Sequence, residues 1–220
     1  MKNKIAAFLT AILFTSLSIS AQVQVSKEPR HKPMIENKYI RLLDVWLQPG
    51  DTTAYHIHST PSVFLYFTTT WTGTQIQGRD WFKSRSIAGN AWYTSYIPDS
   101  VIHRVLNYDT AAFHVTDTEL LSVFNPDGGL KPLPFTVLFE NERVFAYRLD
   151  NASLNKKYIS KRGPMVAELV EGEGVSYFDG HTKKSTRIAP GKYLFIEPGS
   201  SFYFSSEGKS KINLVLFEIK

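Results

Sequence analysis

Short β-strands dominate the pattern of the chain after residue 38. Runs rich in β-branched and aromatic residues follow one another closely, with Gly, Pro, Asn or Asp between them. The runs cover residues 40–47, 63–70, 75–83, 91–97, 101–106, 111–115 and 119–124. Regular short strands with turn signals between them are typical of β-sandwiches and barrels. The same region lacks the hydrophobic period of an amphipathic helix, so the pattern predicts an all-β fold.

The first residues follow a different pattern. Lys2 and Lys4 precede an apolar run over 5–17, and small or polar residues follow it up to Ala21. That layout is typical of a secretory signal peptide, and the run is short for a transmembrane span. We therefore predict a signal peptide over 1–21 and a periplasmic or secreted protein, with an uncleaved N-terminal anchor as the alternative. No other run is long enough to cross a membrane, so no stable membrane insertion is expected after signal removal.

An internal repeat divides the rest of the chain. Residues 140–149 echo residues 36–45, and 196–200 echo 97–100 in the same order and at a similar separation. A small β-domain present twice explains both echoes. The two copies are predicted over residues 36–125 and 136–220. They are joined by a linker over 126–135, whose prolines and glycines do not suit a sheet interior, and preceded by a polar N-terminal arm over 22–35.

Charge and cysteine content exclude some classes of protein. The chain has 25 basic and 20 acidic residues, and the basic residues are scattered rather than gathered in a stripe. A nucleic-acid surface would need such a stripe, so no nucleic-acid partner is expected. The chain contains no cysteine, so the fold has no disulfides to gain from an oxidising compartment, although it would tolerate one.

Three histidines are the candidates for chemistry. His56 and His58 follow a glycine turn and are two residues apart, so on a strand they point to the same face. His103 lies near the start of the apolar run that follows Pro98. Neutral imidazole is the commonest metal ligand, and three imidazoles that converge inside a closed sheet would form a metal site. Polar residues at a barrel mouth, without metal, are the alternative interpretation.

Other polar residues offer weaker signals. Asn107 lies four residues after His103, on the same face of the strand, and either shapes the pocket or closes the strand end. His31 in the arm, His114 outside the motifs and His181 at a predicted hairpin tip are assigned to structural or surface roles. No residue is assigned a catalytic proton-transfer role.

Two stretches resemble the motifs of the cupin superfamily. Gly50, five further residues, His56-Ile57-His58 and then Val63 resemble the first motif, which ends in a glutamate three or four residues after the second histidine. The glutamate falls on Val63, or on Ser62 with the shorter spacing. The second motif is proline, any residue, glycine, two residues, histidine, three residues and asparagine. Residues 98–107 resemble it, with Ser100 in place of the glycine.

The resemblance implies a fold and a set of ligands. With the repeat, the chain looks like a two-domain cupin, or bicupin, built from two tandem jelly-roll barrels. His56, His58 and His103 would be the ligands of a divalent ion (Fe, Mn, Ni or Zn), with Val63 and Asn107 beside them. In the second copy about Tyr158, Ser160 and Tyr203 fall on the three ligand positions, so that copy is predicted to be degenerate and to hold no metal.

Two function classes follow from this resemblance. One is a metal-dependent enzyme, a dioxygenase or isomerase that acts on a small anionic or polyhydroxy compound. The other is a non-catalytic binding protein for a small molecule or carbohydrate, with a vestigial or structural metal site. Both have a small-molecule partner. Cupins often form homodimers, although a bicupin can also act as its own pseudo-dimer.

Overall fold

The computed structural model describes residues 22–126, 129–155 and 162–220. The predicted signal peptide over 1–21 lies outside these residues, as do Tyr158 and Ser160. The described elements are 18 strands and two single-turn 3-10 helices, at Val25–Lys27 and Asn151–Ser153, so the all-β prediction is confirmed. Within the described part of the chain, no helix is long and apolar enough to cross a membrane.

The first barrel is built from two five-stranded sheets. Its strands are β1 (Val23–Gln24), β2 (His31–Glu36), β3 (Ile40–Leu47), β4 (His56–His58), β5 (Ser62–Tyr66), β6 (Trp71–Ile76), β7 (Phe82–Arg85), β8 (Ala91–Thr94), β9 (Val101–Asn107) and β10 (Phe113–Leu120). The sheets have the orders β1-β4-β9-β6-β7 and β2-β3-β10-β5-β8. All pairings are antiparallel except that of β1 with β4.

The second barrel repeats this topology. Its strands are β11 (Thr136–Glu140), β12 (Val144–Leu149), β13 (Met165–Glu171), β14 (Val175–Asp179), β15 (Ser185–Ile188), β16 (Lys192–Ile196), β17 (Phe202–Ser206) and β18 (Asn213–Ile219). They form sheets of order β11-β12-β18-β13-β16 and β15-β14-β17. The first of these has the connectivity of β2-β3-β10-β5-β8, and the second has that of β7-β6-β9. The prediction of two tandem jelly-roll barrels is therefore confirmed.

The repeat is also visible in a pair of equivalent turns. The Asn37 side-chain oxygen accepts hydrogen bonds from the backbone N–H groups of Tyr39 and Ile40, at 2.8 and 3.1 Å. The Asn141 side-chain oxygen accepts the same two bonds from Arg143 and Val144, at 2.8 and 3.0 Å. An asparagine side chain that bonds the backbone two residues on defines an Asx turn. The repeated pair Glu36-Asn37 and Glu140-Asn141 therefore marks the turn that precedes β3 and β12.

Four predicted segments differ from the observed elements. Runs 111–115 and 119–124, predicted as two strands, overlap the single strand β10, which ends at Leu120. Both faces of β10 are buried, and its polar residues do not interrupt it. Run 75–83 includes a turn between β6 and β7, where Gly78 has a φ of +78°. Part of the segment predicted as an arm over 22–35 forms β1 and β2, which join both sheets of the first barrel.

The two barrel interiors are filled differently. In the second barrel a large cluster of buried apolar side chains, including Phe145, Tyr147 and Phe204, fills the space between the sheets. The corresponding cluster of the first barrel has four buried members, Val45, Leu47, Phe113 and Val115. A third cluster joins the two barrels and contains residues of both, such as Leu42 and Val63 with Val166 and Phe217. The first barrel therefore has room for a cavity.

Candidate metal centre

Strand pairing brings the three predicted ligands together. His56 on β4 lies opposite His103 on β9, and His58 follows on the same face of β4. The ring centroids are 5.0 Å apart for His56 and His58, 4.7 Å for His56 and His103, and 4.8 Å for His58 and His103. The ring planes are inclined by 64–68°, so the rings meet edge to face.

The electrostatics of these rings favour the neutral imidazole. Burial, with the neighbouring histidines, lowers the pKa of His56 to about 3 and that of His103 to about 4, and it also lowers the pKa of His58. Nε2 of His56 and Nε2 of His103 are buried and lack a hydrogen-bond partner among the described residues. Buried nitrogens are normally hydrogen-bonded, so such atoms need an explanation. A metal ion would satisfy their lone pairs, and the residues present therefore fit one.

A fourth histidine joins the cluster from the N-terminal segment. The ring centroid of His31, on β2, is 4.5 Å from that of His56 and 6.4 Å from that of His58. One nitrogen from each of His31, His56 and His58 can be chosen so that all three lie within 4.8 Å of one another, a group that includes His31 and does not include His103. His31, which the sequence analysis placed in an extended arm, is therefore a buried residue of β2, 7% exposed, beside the candidate ligands.

The other histidines set aside by the sequence analysis lie outside the cluster. His114 Nε2 donates a hydrogen bond of 2.6 Å to Asp44 Oδ1, and its ring is stacked on Trp46 and Phe67. His181 is exposed in the turn after β14. Their structural and surface assignments agree with these positions.

A largely apolar cavity adjoins the histidines. Its empty volume is about 550 Å³, which includes solvent at its open mouth. Its aromatic walls are Phe64, Tyr66, Trp92 and Phe113, and its polar lining includes His31, His58, His103 and Asp117. No lysine or arginine is among the described lining residues.

Two further residues border His58. Asp117 Oδ2 lies 3.4 Å from His58 Nδ1, and burial raises the pKa of this carboxyl, with a further contribution from Glu119. The ring of Tyr96 is stacked on His58 at a centroid distance of 4.9 Å. Tyr96 has a φ of +56°, a left-handed conformation that is strained for a residue with a side chain and that often occurs at functional sites. Local sequence gave no signal for either residue, since both reach the site through tertiary structure.

Val63 and Asn107 lie apart from the histidines. Val63 is fully buried in the cluster between the two barrels, whereas the next residue, Phe64, lines the cavity. By strand parity Ser62, not Val63, shares the face of Phe64. The amide of Asn107 donates to the carbonyls of Leu47 and Ala111, at 3.0 and 2.8 Å, and its oxygen accepts from Asp109 N–H. Asn107 thus closes the end of β9, which is the second of the two roles that the sequence analysis considered for it.

Comparison with known proteins supports the fold. No protein-family model and no curated protein matches the chain. Among solved structures, AerE from Microcystis aeruginosa is similar with a TM-score of 0.60 at 11% identity, over 88% of this chain and 98% of that one. A mutant salicylate 1,2-dioxygenase from Pseudoaminobacter salicylatoxidans, in complex with gentisate, has a TM-score of 0.61 at 12% identity, over 90% and 76%.

A third similar structure is described as a cupin. The cupin 2 conserved barrel domain protein from Leptotrichia buccalis has a TM-score of 0.54 at 10% identity, over 86% of this chain and 88% of that one. At such low identity these similarities concern the fold and not the activity. The chain thus has a cupin-like fold, and the first of its two barrels contains a cluster of histidines.

Proposed function

We propose that this chain is an exported metal-binding cupin. Its first barrel would hold a divalent ion on His56, His58 and His103 and would act on a small molecule as a dioxygenase or isomerase. The observation that supports this proposal most is the pair of buried, partnerless Nε2 atoms on His56 and His103, both on rings whose lowered pKa keeps them neutral.

The ligand set decides what chemistry the ion would supply. Neutral imidazoles bring no negative charge, so a bound divalent ion would act as a strong Lewis acid toward an anionic oxygen. The same donors suit Fe, Mn, Ni and Zn, so they do not select the metal. In this barrel the protein residues would orient the substrate and exclude water through the aromatic walls.

The cavity lining narrows the class of substrate. Since no lysine or arginine is among the described lining residues, a negative group on the substrate would be met at the metal and not by a side chain. The rest of the substrate would contact Phe64, Trp92 and their apolar neighbours. We therefore propose a compound with one anionic oxygen donor and an apolar body, rather than a polyhydroxy compound.

A non-catalytic binding protein is the second candidate, and one observation favours it. Asp117 is the one carboxyl among the described lining residues, and burial raises its pKa, which favours the protonated form over the carboxylate that a general base needs. A general base must lie within hydrogen-bond reach of the proton that it removes. A barrel that lacks such a base would bind its ligand without converting it.

Metal analysis of the untagged protein tests the proposal. We expect about one divalent ion per chain after purification, and its loss in His58→Ala. The matched control is His181→Ala, which removes an exposed histidine and should leave the metal content unchanged. A wild-type protein that stays metal-free after incubation with Fe, Mn, Ni and Zn salts would contradict the proposal.

Export is tested separately. Cleavage after Ala21 would give a periplasmic or secreted protein that begins at Gln22. N-terminal sequencing of the cell fractions should find this new terminus. Full-length chain in the membrane fraction would instead support the N-terminal anchor.

A further inference from the structure

The segment that carries His31 is fixed to both sheets of the first barrel. β1 pairs with β4 in parallel, with Val23 opposite His56, and β2 pairs with β3, with His31 opposite Val45. Between β1 and β2 the chain turns sharply, and the backbone N–H of His31 donates to the carbonyl of Glu28 at 3.0 Å. Val25 is buried beside this turn. His31 is therefore positioned by backbone pairing, as are the histidines on β4 and β9.

Glu28 determines which nitrogen of His31 faces the cluster. Glu28 is 2% exposed, and its Oε2 lies 2.7 Å from His31 Nδ1 and accepts from the N–H of Arg30 at 2.8 Å. Its other oxygen accepts from the N–H of Ala54 at 3.0 Å. With Nδ1 engaged, Nε2 of His31 is the nitrogen that can bind a metal. A histidine ligand whose other nitrogen contacts a carboxylate is a recurrent arrangement in metal sites.

One residue, Ala54, links this arrangement to His56. The N–H of Ala54 donates to Glu28, and the carbonyl of Ala54 lies 2.9 Å from His56 Nδ1. Ala54 therefore orients His31 through Glu28 and His56 directly. In both rings the outer nitrogen is engaged, which leaves the two Nε2 atoms to face the centre.

Glu28 also supplies the negative charge that the candidate ligands lack. Its two oxygens accept hydrogen bonds from the backbone N–H groups of Arg30 and Ala54 and contact His31 Nδ1, and these contacts favour the carboxylate form. Neither Ser62 nor Val63, the candidates for the glutamate position of the cupin motif, carries a carboxylate. Glu28 does, and through His31 it is one hydrogen bond away from the candidate metal centre. Through His31 it would raise the basicity of that ligand.

We propose that His31 is a fourth ligand of the metal centre, oriented by Glu28, and that this pair replaces the glutamate of the cupin motif. The inference rests on the proposed function, since it needs the first barrel to bind a divalent ion. It assigns to the N-terminal segment a part of the site that the two sequence motifs do not contain.

The test compares four forms of the full chain: wild type, His31→Ala, Glu28→Gln and the control His181→Ala. Each is titrated with Zn²⁺ against a chelating indicator, and Cu²⁺-loaded samples are examined by electron paramagnetic resonance for the number of coupled nitrogens. We expect roughly 10–100-fold weaker Zn²⁺ binding in Glu28→Gln, as for other residues that support a ligand. We expect a larger loss, and one fewer nitrogen, in His31→Ala, and no change in the control.

The outcomes separate this inference from the proposed function. Unchanged affinity and nitrogen count in His31→Ala would overturn the fourth ligand while the metal site of the first barrel remains. Metal-free wild type would overturn both. Thermal melts of the metal-free variants check folding. If His31→Ala is unfolded, His31→Gln and Glu28→Gln decide, and wild-type affinity in both would also overturn the inference.

Discussion

At the scale of single residues, the alternation of side chains along β5 shows which residue occupies the position of the motif's glutamate. Val63 contacts the apolar cluster between the barrels, and Phe64 faces the cavity. The sequence alone placed the glutamate position on Val63, with Ser62 as the alternative, because the motif allows two spacings. The structure places Ser62 on the cavity side, so the motif is read with the shorter spacing.

Val63→Glu should therefore destabilise the protein instead of restoring a ligand. The new carboxylate would lie in the apolar cluster between the barrels, where an unpaired charge is strongly disfavoured. We expect a loss of several kcal/mol in the free energy of unfolding, or a protein that does not fold. Urea unfolding measures it, with Val63→Ile as the apolar control. A stable Val63→Glu protein with higher metal affinity would show that the side chain reaches the histidines.

The equivalent Asx turns support a prediction at the scale of elements. Asn37→Ala and Asn141→Ala each remove two side-chain hydrogen bonds at the start of a strand, β3 in one barrel and β12 in the other. Each should lower the free energy of unfolding by about 1–2 kcal/mol, since a net hydrogen bond contributes about 1 kcal/mol.

Urea unfolding measures both variants, with Asn90→Ala, at an exposed asparagine, as the control. If the turn has the same structural role in both copies of the repeat, the two variants should lose similar amounts of unfolding free energy. A loss at one position and none at the other would show that the two turns are not equivalent in energy.

Local patterns were sufficient to predict the strands and the His-x-His face. Alternation along β4 placed His56 and His58 on one side, and the proline turn before β9 placed His103 at the start of the neighbouring strand. The parallel pairing of β1 with β4 was not predictable, because two-residue strands leave almost no hydrophobic pattern. That pairing brings Glu28 and His31 to the site. The one local indication of this part of the site was the presence of Glu28 and His31 three residues apart in a polar segment.

At the scale of the whole molecule, a buried polar group joins the two barrels. Glu168 on β13 is fully buried, and its Oε2 accepts a hydrogen bond of 2.6 Å from Thr116 on β10. Asp44 faces it from β3, with His114 and Tyr193 bonded to Asp44. Burial raises the pKa of Glu168 to about 8, with a hydrogen bond from Thr116 that opposes the shift and the charge of Asp44 that adds to it.

This pKa predicts a pH dependence of stability. Between the ordinary pKa of about 4.5 and the folded value of about 8, the folded state keeps a proton that the unfolded state has lost. The contribution of Glu168 is therefore fully present at low pH and is lost as pH rises through 8. Glu168→Gln keeps the shape of the side chain and removes the titration.

The measurement is urea unfolding of wild type and Glu168→Gln at pH 5 and pH 8. We expect the variant to gain stability relative to wild type between the two, by an amount on the order of a few kcal/mol. The difference between the proteins isolates Glu168 from the histidines, whose lowered pKa values act in the opposite direction. Parallel pH profiles would show that Glu168 is already ionised in the folded protein.

The convergence of the histidines on one metal ion is the central claim, and anomalous scattering tests it most directly. Crystals of the mature chain loaded with Zn²⁺ would be measured at the zinc edge. We expect one strong peak in the first barrel at about 2.0–2.1 Å from imidazole nitrogens of His56, His58 and His103, with His31 as the fourth. A map with no peak among these rings, or with zinc bound only at surface residues, would contradict the account.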